Sequence, residues 1–189
     1  PEILGQYLTS SSQRCQIYVN NTQTLVQKMI DGEVDCAFVE GQFDPQLFTY
    51  HLFKNEKFIL VAHKDHPLAK QKITFDELLT FPLFIREEGS GTRAILENYL
   101  LQEIYTLSSF QKVIEVQSLT MIKKMLACTQ GISFLYEGVV HHELLTGELT
   151  QIHLENFELI RPMHFIYLRN NINKQKYSAF FKNIYREKL

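Results

Sequence analysis

The sequence has no tryptophan, five prolines and only three cysteines in 189 residues. Cys15, Cys36 and Cys128 are odd in number, widely separated and free of CxxC spacing. That argues against a disulfide framework or a thiolate zinc site. They read as reduced thiols of a cytosolic protein, and Cys128, among Met125, Leu126 and Ala127, reads as core packing. No run approaches the roughly 18 consecutive apolar residues of a membrane span. The opening residues 1–5 lack the basic and apolar regions of a signal peptide. The expectation is a cytoplasmic chain with no membrane partner. A basic excess is missing too. The net charge is −2, whereas a domain that grips DNA through its phosphates carries a surplus of Lys and Arg.

What is present is an ordinary globular composition, 45% hydrophobic and 21% charged, with a length suited to one large or two small domains. The 14 Phe and 9 Tyr predict an aromatic core. Ile3–Leu8 has helical spacing and fades into Thr9–Ser12. Cys15–Val19 alternates as a strand does. From Thr22 the period turns helical, with Leu25, Val26, Met29 and Ile30 on one face, until Asp31-Gly32 stops it. Val34–Val39 reads as a buried strand, so strand, helix and strand predict a parallel pair with a crossover. Phe48–Phe53 and Phe58–Ala62, joined by Lys54-Asn55-Glu56-Lys57, suggest one long strand passing between two packed bodies.

The rhythm continues to the end. His66–Ala69 is a turn, Thr74–Leu79 a short helix with a Thr74/Glu77 capping box, and Phe84-Ile85 a strand. Helices are predicted from Gly91 and from Ser118, at 138–145, and from about Lys174, where Tyr177, Phe180, Phe181, Ile184 and Tyr185 form one stripe. Strands are predicted at Val113–Val116, Ile132–Leu135, Leu149–Leu154 and Met163–Leu168. Alternation of this kind argues an α/β fold with mainly parallel sheets. The polar break at 54–57 favours two lobes, with chain crossings there and near 158–162.

Three polar turns stand immediately before helices: Asn20-Asn21-Thr22, Gly89-Ser90-Gly91-Thr92 and Gln117-Ser118-Leu119-Thr120. A helix N-terminus exposes unpaired N–H groups and carries about half a positive charge. Ser and Thr there either cap the helix or bind an outside group, and Gly lets a ligand approach the backbone. For Thr22 and Ser118 simple capping suffices. Two glycines around Ser90 exceed what a cap needs, so that loop reads as ligand-facing. It lacks the Gly-Lys-Ser/Thr ending of a Walker loop and the GxSxG order of a nucleophile elbow. Arg86 and Arg93 flank it; a carboxylate pair explains Arg86, while Arg93 serves either a ligand or Glu87, Glu88 or Glu97. Asp35 and Glu40 end a strand. His141-His142 point to different faces, and His63 and His66 find no partners for a zinc site. No catalytic constellation emerges, and neither a metal nor a cofactor is implied.

Taken in order, Asn20-Asn21-Thr22, residues 32–41, residues 58–69, residues 86–93 and residues 130–135 resemble the effector-binding domain of LysR-type transcriptional regulators over nearly the whole chain. The resemblance implies a two-lobed periplasmic-binding-protein-like (type II) α/β fold with lobes joined by two crossing strands. Lobe I would comprise 1–56 plus 161–189 and lobe II 57–160. It implies a cleft lined by Asn21 and Thr22 from lobe I and by Ser90, Gly91, Thr92 and Ser118 from lobe II, with Gly41 and Phe43 adding contacts. A small polar or anionic effector would bind there and alter the geometry of attached winged helix-turn-helix domains. Homodimerisation, with a tetramer possible at full length, and DNA contact only through a separate domain are implied as well. That domain and the first strand of lobe I would precede Pro1. Peroxide-sensing relatives use a cysteine pair in the second lobe, where this chain has Cys128 alone. A solute-binding protein of a transport system, or an enzyme on the same scaffold, are the competing readings.

Overall fold

The computed structural model describes residues 2–10 and 14–186, in two compact units. The first comprises residues 1–54 and 163–189, the second residues 55–162. The sequence-based boundaries at 56/57 and 160/161 differ from these by two residues. Ser11 and Ser12, where the opening helix is predicted to fade, lie outside the described residues.

In the first unit α1 (Glu2–Ser10), α2 (Thr22–Ile30) and α7 (Lys174–Arg186) accompany β1 (Cys36–Val39) and parts of β2 (Phe48–His63) and β8 (Leu159–Leu168). Strand β8 stands between β1 and β2, pairing β1 antiparallel with Phe38 opposite Phe165. The core is aromatic, as the Phe and Tyr content implies. The Phe181 ring stacks with Phe165 at 5.2 Å and with His51 at 5.0 Å. Leu25 and Met29 of α2 and Tyr177 and Phe181 of α7 bury their stripe against β1 and β8. Tyr177 donates to Asp35 at 2.6 Å; burial, reinforced by this bond, pushes its hydroxyl up to about 12. Helix α1 meets α7 through an edge-on Tyr7–Phe180 contact.

The second unit continues β2 and adds β3 (Lys72–Ile73), α3 (Phe75–Leu78), β4 (Leu83–Ile85), α4 (Gly91–Gln102), β5 (Val113–Glu115), α5 (Leu119–Cys128), β6 (Ile132–Tyr136), α6 (Glu137–Thr146) and β7 (Leu149–Leu154), before β8 leaves it. Its strands run β2-β6-β4-β5, with β7 also on β2 and β3 on β7. Strand β2 alternates between two cores: Phe58, Leu60 and Ala62 enter one, Ile59 and Val61 the other. Helix α4 covers the first face with Ile95, Leu96 and Leu100. Helices α5 and α6 cover the second with Ile122, Leu126 and Val140. A sheet coated on both faces needs apolar residues at successive positions, which is why residues 58–62 read as a continuous apolar run.

Three expectations are corrected here. Cys15–Val19 joins no strand among the described residues; its side chains are exposed, so alternation there reflects no ladder, and the predicted parallel pair with Val34–Val39 does not form. Sheets are not mainly parallel. Pairs β4–β5, β4–β6 and β3–β7 are parallel, whereas β1–β8, β2–β6 and β2–β7 are antiparallel. Strands β2 and β8 enter each unit from the other, so no strand–helix–strand crossover constrains their direction. Cys128 is exposed rather than core, because it falls outside the stripe set by Ile122 and Leu126. Cys36 is the sheltered thiol, its proton held up to about 12, chiefly by burial.

Candidate functional site

The carboxyl ends of β4 and β5 lie side by side, with Ile85 opposite Glu115 and the Val116 N–H donating to the Ile85 carbonyl at 2.8 Å. Neighbouring strands are about 4.8 Å apart. The loops leaving these ends therefore start together, and each leads into a helix N-terminus: α4 after residues 86–90 and α5 after residues 116–118. This edge of a parallel sheet is where open α/β folds hold their ligands. Arg93, in the first turn of α4, ties the two loops by an ion pair to Glu115 at 2.7 Å.

The two helix starts are finished differently. Ser118 caps α5, its hydroxyl accepting from the Met121 N–H at 3.3 Å, as simple capping predicts. Ser90 is the N-cap of α4 by backbone conformation, yet its hydroxyl makes no cap hydrogen bond, although Ser90 is 2% exposed. Gly91 and Thr92 follow as buried residues of the first turn. Gly89, at φ +84°, takes the left-handed conformation that turns the chain into this helix. A buried hydroxyl beside first-turn amides, without the bond a capping serine makes, is suited to an oxyanion or hydroxyl supplied from outside. At the same sheet edge α6 begins after β6, and there the Glu56 carboxylate accepts from the Gly138 N–H at 2.9 Å. The fold itself thus supplies an anion to one of the three helix starts.

Both flanking arginines are committed. Arg86 forms a bidentate pair with Glu87 at 2.8 and 2.9 Å. This pair is largely buried, at 11% and 12% side-chain exposure, rather than lying on the surface. Arg93 is held by Glu97 at 2.8 Å as well as by Glu115; of its predicted partners, Glu97 is the one in bonding contact.

In the first unit, Asn21 and not Thr22 caps α2, its side chain accepting from the Thr24 N–H at 2.8 Å. Thr22 is the first helical residue and is buried, at 6% exposure. Gly41, two residues past β1, lies so close that a Cβ on it would stand 3.0 Å from Thr22 Oγ1 and Cγ2. Asn21, Thr22 and Gly41 are thus brought together. Phe43 packs instead with Tyr50 and His164, at ring separations of 5.6 and 5.5 Å. Burial lowers the His164 pKa, so the ring is neutral at physiological pH. Tyr50 and His164 were not legible as neighbours of Phe43, because they come from β2 and β8 while Phe43 lies in the loop between β1 and β2.

A family model described as the LysR substrate binding domain matches residues 10–187. An uncharacterized HTH-type transcriptional regulator of Escherichia coli (strain K12), YeiE, is 28% identical over 170 residues, covering 89% of this chain and 57% of that protein. The chain thus spans a little over half the length of this relative. Among solved structures, the CcmR regulatory domain of Synechocystis PCC6803 in complex with 2-PG superposes with a TM-score of 0.81 at 24% identity. That match covers 96% of this chain and 88% of the other. The effector binding domain of QuiR in complex with shikimate gives a TM-score of 0.77 at 16% identity, over 99% and 88% of the two chains. Both likenesses are of fold. Among the described residues no helix is long and apolar enough to cross a membrane.

Proposed function

The chain belongs to the LysR substrate-binding family, and from that premise we propose that it senses a small polar or anionic effector for a bacterial transcription regulator. The observation that carries this reading is the start of α4: a buried Ser90 hydroxyl without a cap bond, beside Gly91 and Thr92 and next to the start of α5 at Ser118. Asn21, Thr22 and Gly41 offer the same neutral donor chemistry at the start of α2, with Phe43 supplying an apolar contact. The effector is the sole small-molecule partner, with no metal or other cofactor, and the domain binds without turnover. Two structural neighbours hold 2-PG and shikimate, which supports a small-molecule effector for this chain.

Effector binding stabilises one conformation of the domain over others, by no more than its differential affinity for them. In the full-length regulator that preference passes to separate DNA-binding domains in a cytoplasmic homodimer or tetramer. The test is a thermal-shift screen of small carboxylates, sulfate and phosphate esters, since a ligand specific to the native state raises Tm by mass action. A compound that stabilises the wild type is expected to lose most of its effect with Ser90→Ala and to weaken with Thr22→Ala. Unchanged affinity in both variants refutes the assignment.

A further inference from the structure

We infer that this site selects by charge, taking a small acid with one negative charge in preference to its phosphorylated counterpart. The inference rests on the effector site proposed above and adds the class of ligand it admits. The groups assigned to the ligand, Ser90, Gly91, Thr92 and Ser118, are all uncharged. The two cations at the loops have their charge consumed within the fold: Arg86 by a bidentate bond to Glu87, Arg93 by Glu97 on one side and Glu115 on the other.

Arg86 and Arg93 stand against Glu87, Glu88, Glu97 and Glu115, so the local sum is two positive charges against four negative, a surplus of two negative. Residues 116–121, which lead into and begin α5, carry no charge. A single carboxylate can be satisfied here by hydroxyls, amides and the partial positive charge of α4. A phosphate ester adds up to two further negative charges, which neither Arg86 nor Arg93 is free to offset and which the surrounding carboxylates oppose. Turning Arg93 toward a phosphate would require breaking both of its ion pairs and leaving Glu97 and Glu115 unneutralised. Hydroxyl groups on the acid, in contrast, find acceptors among the same carboxylates.

The experiment measures Kd by calorimetry for matched pairs, glycolate against 2-phosphoglycolate and shikimate against shikimate 3-phosphate, on the 189-residue chain. The unphosphorylated member is expected to bind at least tenfold more tightly. In the double variant E97Q/E115Q, which releases Arg93 and removes two negative charges, the gap is expected to close to under threefold. Equal or tighter binding of the phosphorylated member to the wild type overturns the inference, as does a gap that the double variant leaves intact. Ser90→Ala separates the two levels of the argument. Phosphate-ester binding that is lost in this variant sinks the charge rule alone, whereas binding indifferent to Ser90 sinks the site reading beneath it.

Discussion

Gly131→Ala tests how the second unit holds the loop of the candidate site. A Cβ built on Gly131 would lie 2.1 Å from Phe84 Cε2 and 2.8 Å from Cδ2, far inside contact distance. The backbone has little freedom to yield, because the Ile132 N–H donates to the Pro82 carbonyl at 2.9 Å and Ile132 pairs with Leu83. The Phe84 ring must therefore move, into a core already filled by Ile59, Val61, Ile122 and Leu126. Overpacking of this kind costs about 1–3 kcal/mol, and the depth of the clash places it near the upper value. For a chain of this size that corresponds to a Tm lower by roughly 6–12 °C, measured by calorimetry or circular dichroism. Phe84→Leu alone should cost about 1 kcal/mol. Added to Gly131→Ala it removes the clashing ring edge, so the double variant should be more stable than the sum of the singles by about 2 kcal/mol. Phe84 sits on β4, one residue before the strand ends and the Arg86–Thr92 loop begins, so effector affinity should fall with Gly131→Ala as well. An unchanged Tm, or strictly additive costs in the double variant, would refute this reasoning.

Other substitutions probe different parts of the molecule. Ile104 follows α4 at φ 65° and is 94% exposed. It bears left-handed strain with no burial to offset it, so Ile104→Gly should stabilise by about 0.5–1 kcal/mol, read as a higher urea midpoint. Gly41→Ala should push Thr22 by a few tenths of an ångström and weaken effector binding while lowering stability by only about 1 kcal/mol; calorimetry and thermal melts on one sample separate the two. Tyr177 and Cys36 both hold their protons to about 12, against ordinary values of 10.0 and 9.0. The native state thus retains protons that the unfolded chain releases, so their contribution is full below pH 9 and is lost as pH rises towards 12. Alkaline titration of stability should show this fall, and Tyr177→Phe should flatten its upper part between pH 10 and 12.

Local features were legible wherever one segment decides its own structure. The Thr74/Glu77 box forms, with the Glu77 carboxylate accepting from the Thr74 N–H at 2.7 Å. Asp31 and Gly32 end α2, with Gly32 at φ +77°. Residues 48–63, whose apolar ends flank a charged middle, form one 16-residue strand that belongs to both units. Local pattern failed where a partner was needed. Cys15–Val19 alternates but joins no strand, and Cys128 has apolar neighbours in sequence yet points away from the core they form.

The candidate site divides along the same line. Sequence alone determined which turns precede helices and which of them carries the glycines, because capping and backbone freedom are properties of a few consecutive residues. Only the tertiary structure decided that α4 and α5 begin together, since the parallel pairing of β4 with β5 joins positions thirty residues apart. It also decided that Ser90 leaves its helix uncapped while Ser118 does not, and that Arg86 and Arg93 are already spent on carboxylates. Strand order and ion-pair choice are settled by competition among distant segments for the same neighbours, and that competition leaves no periodic trace in the chain.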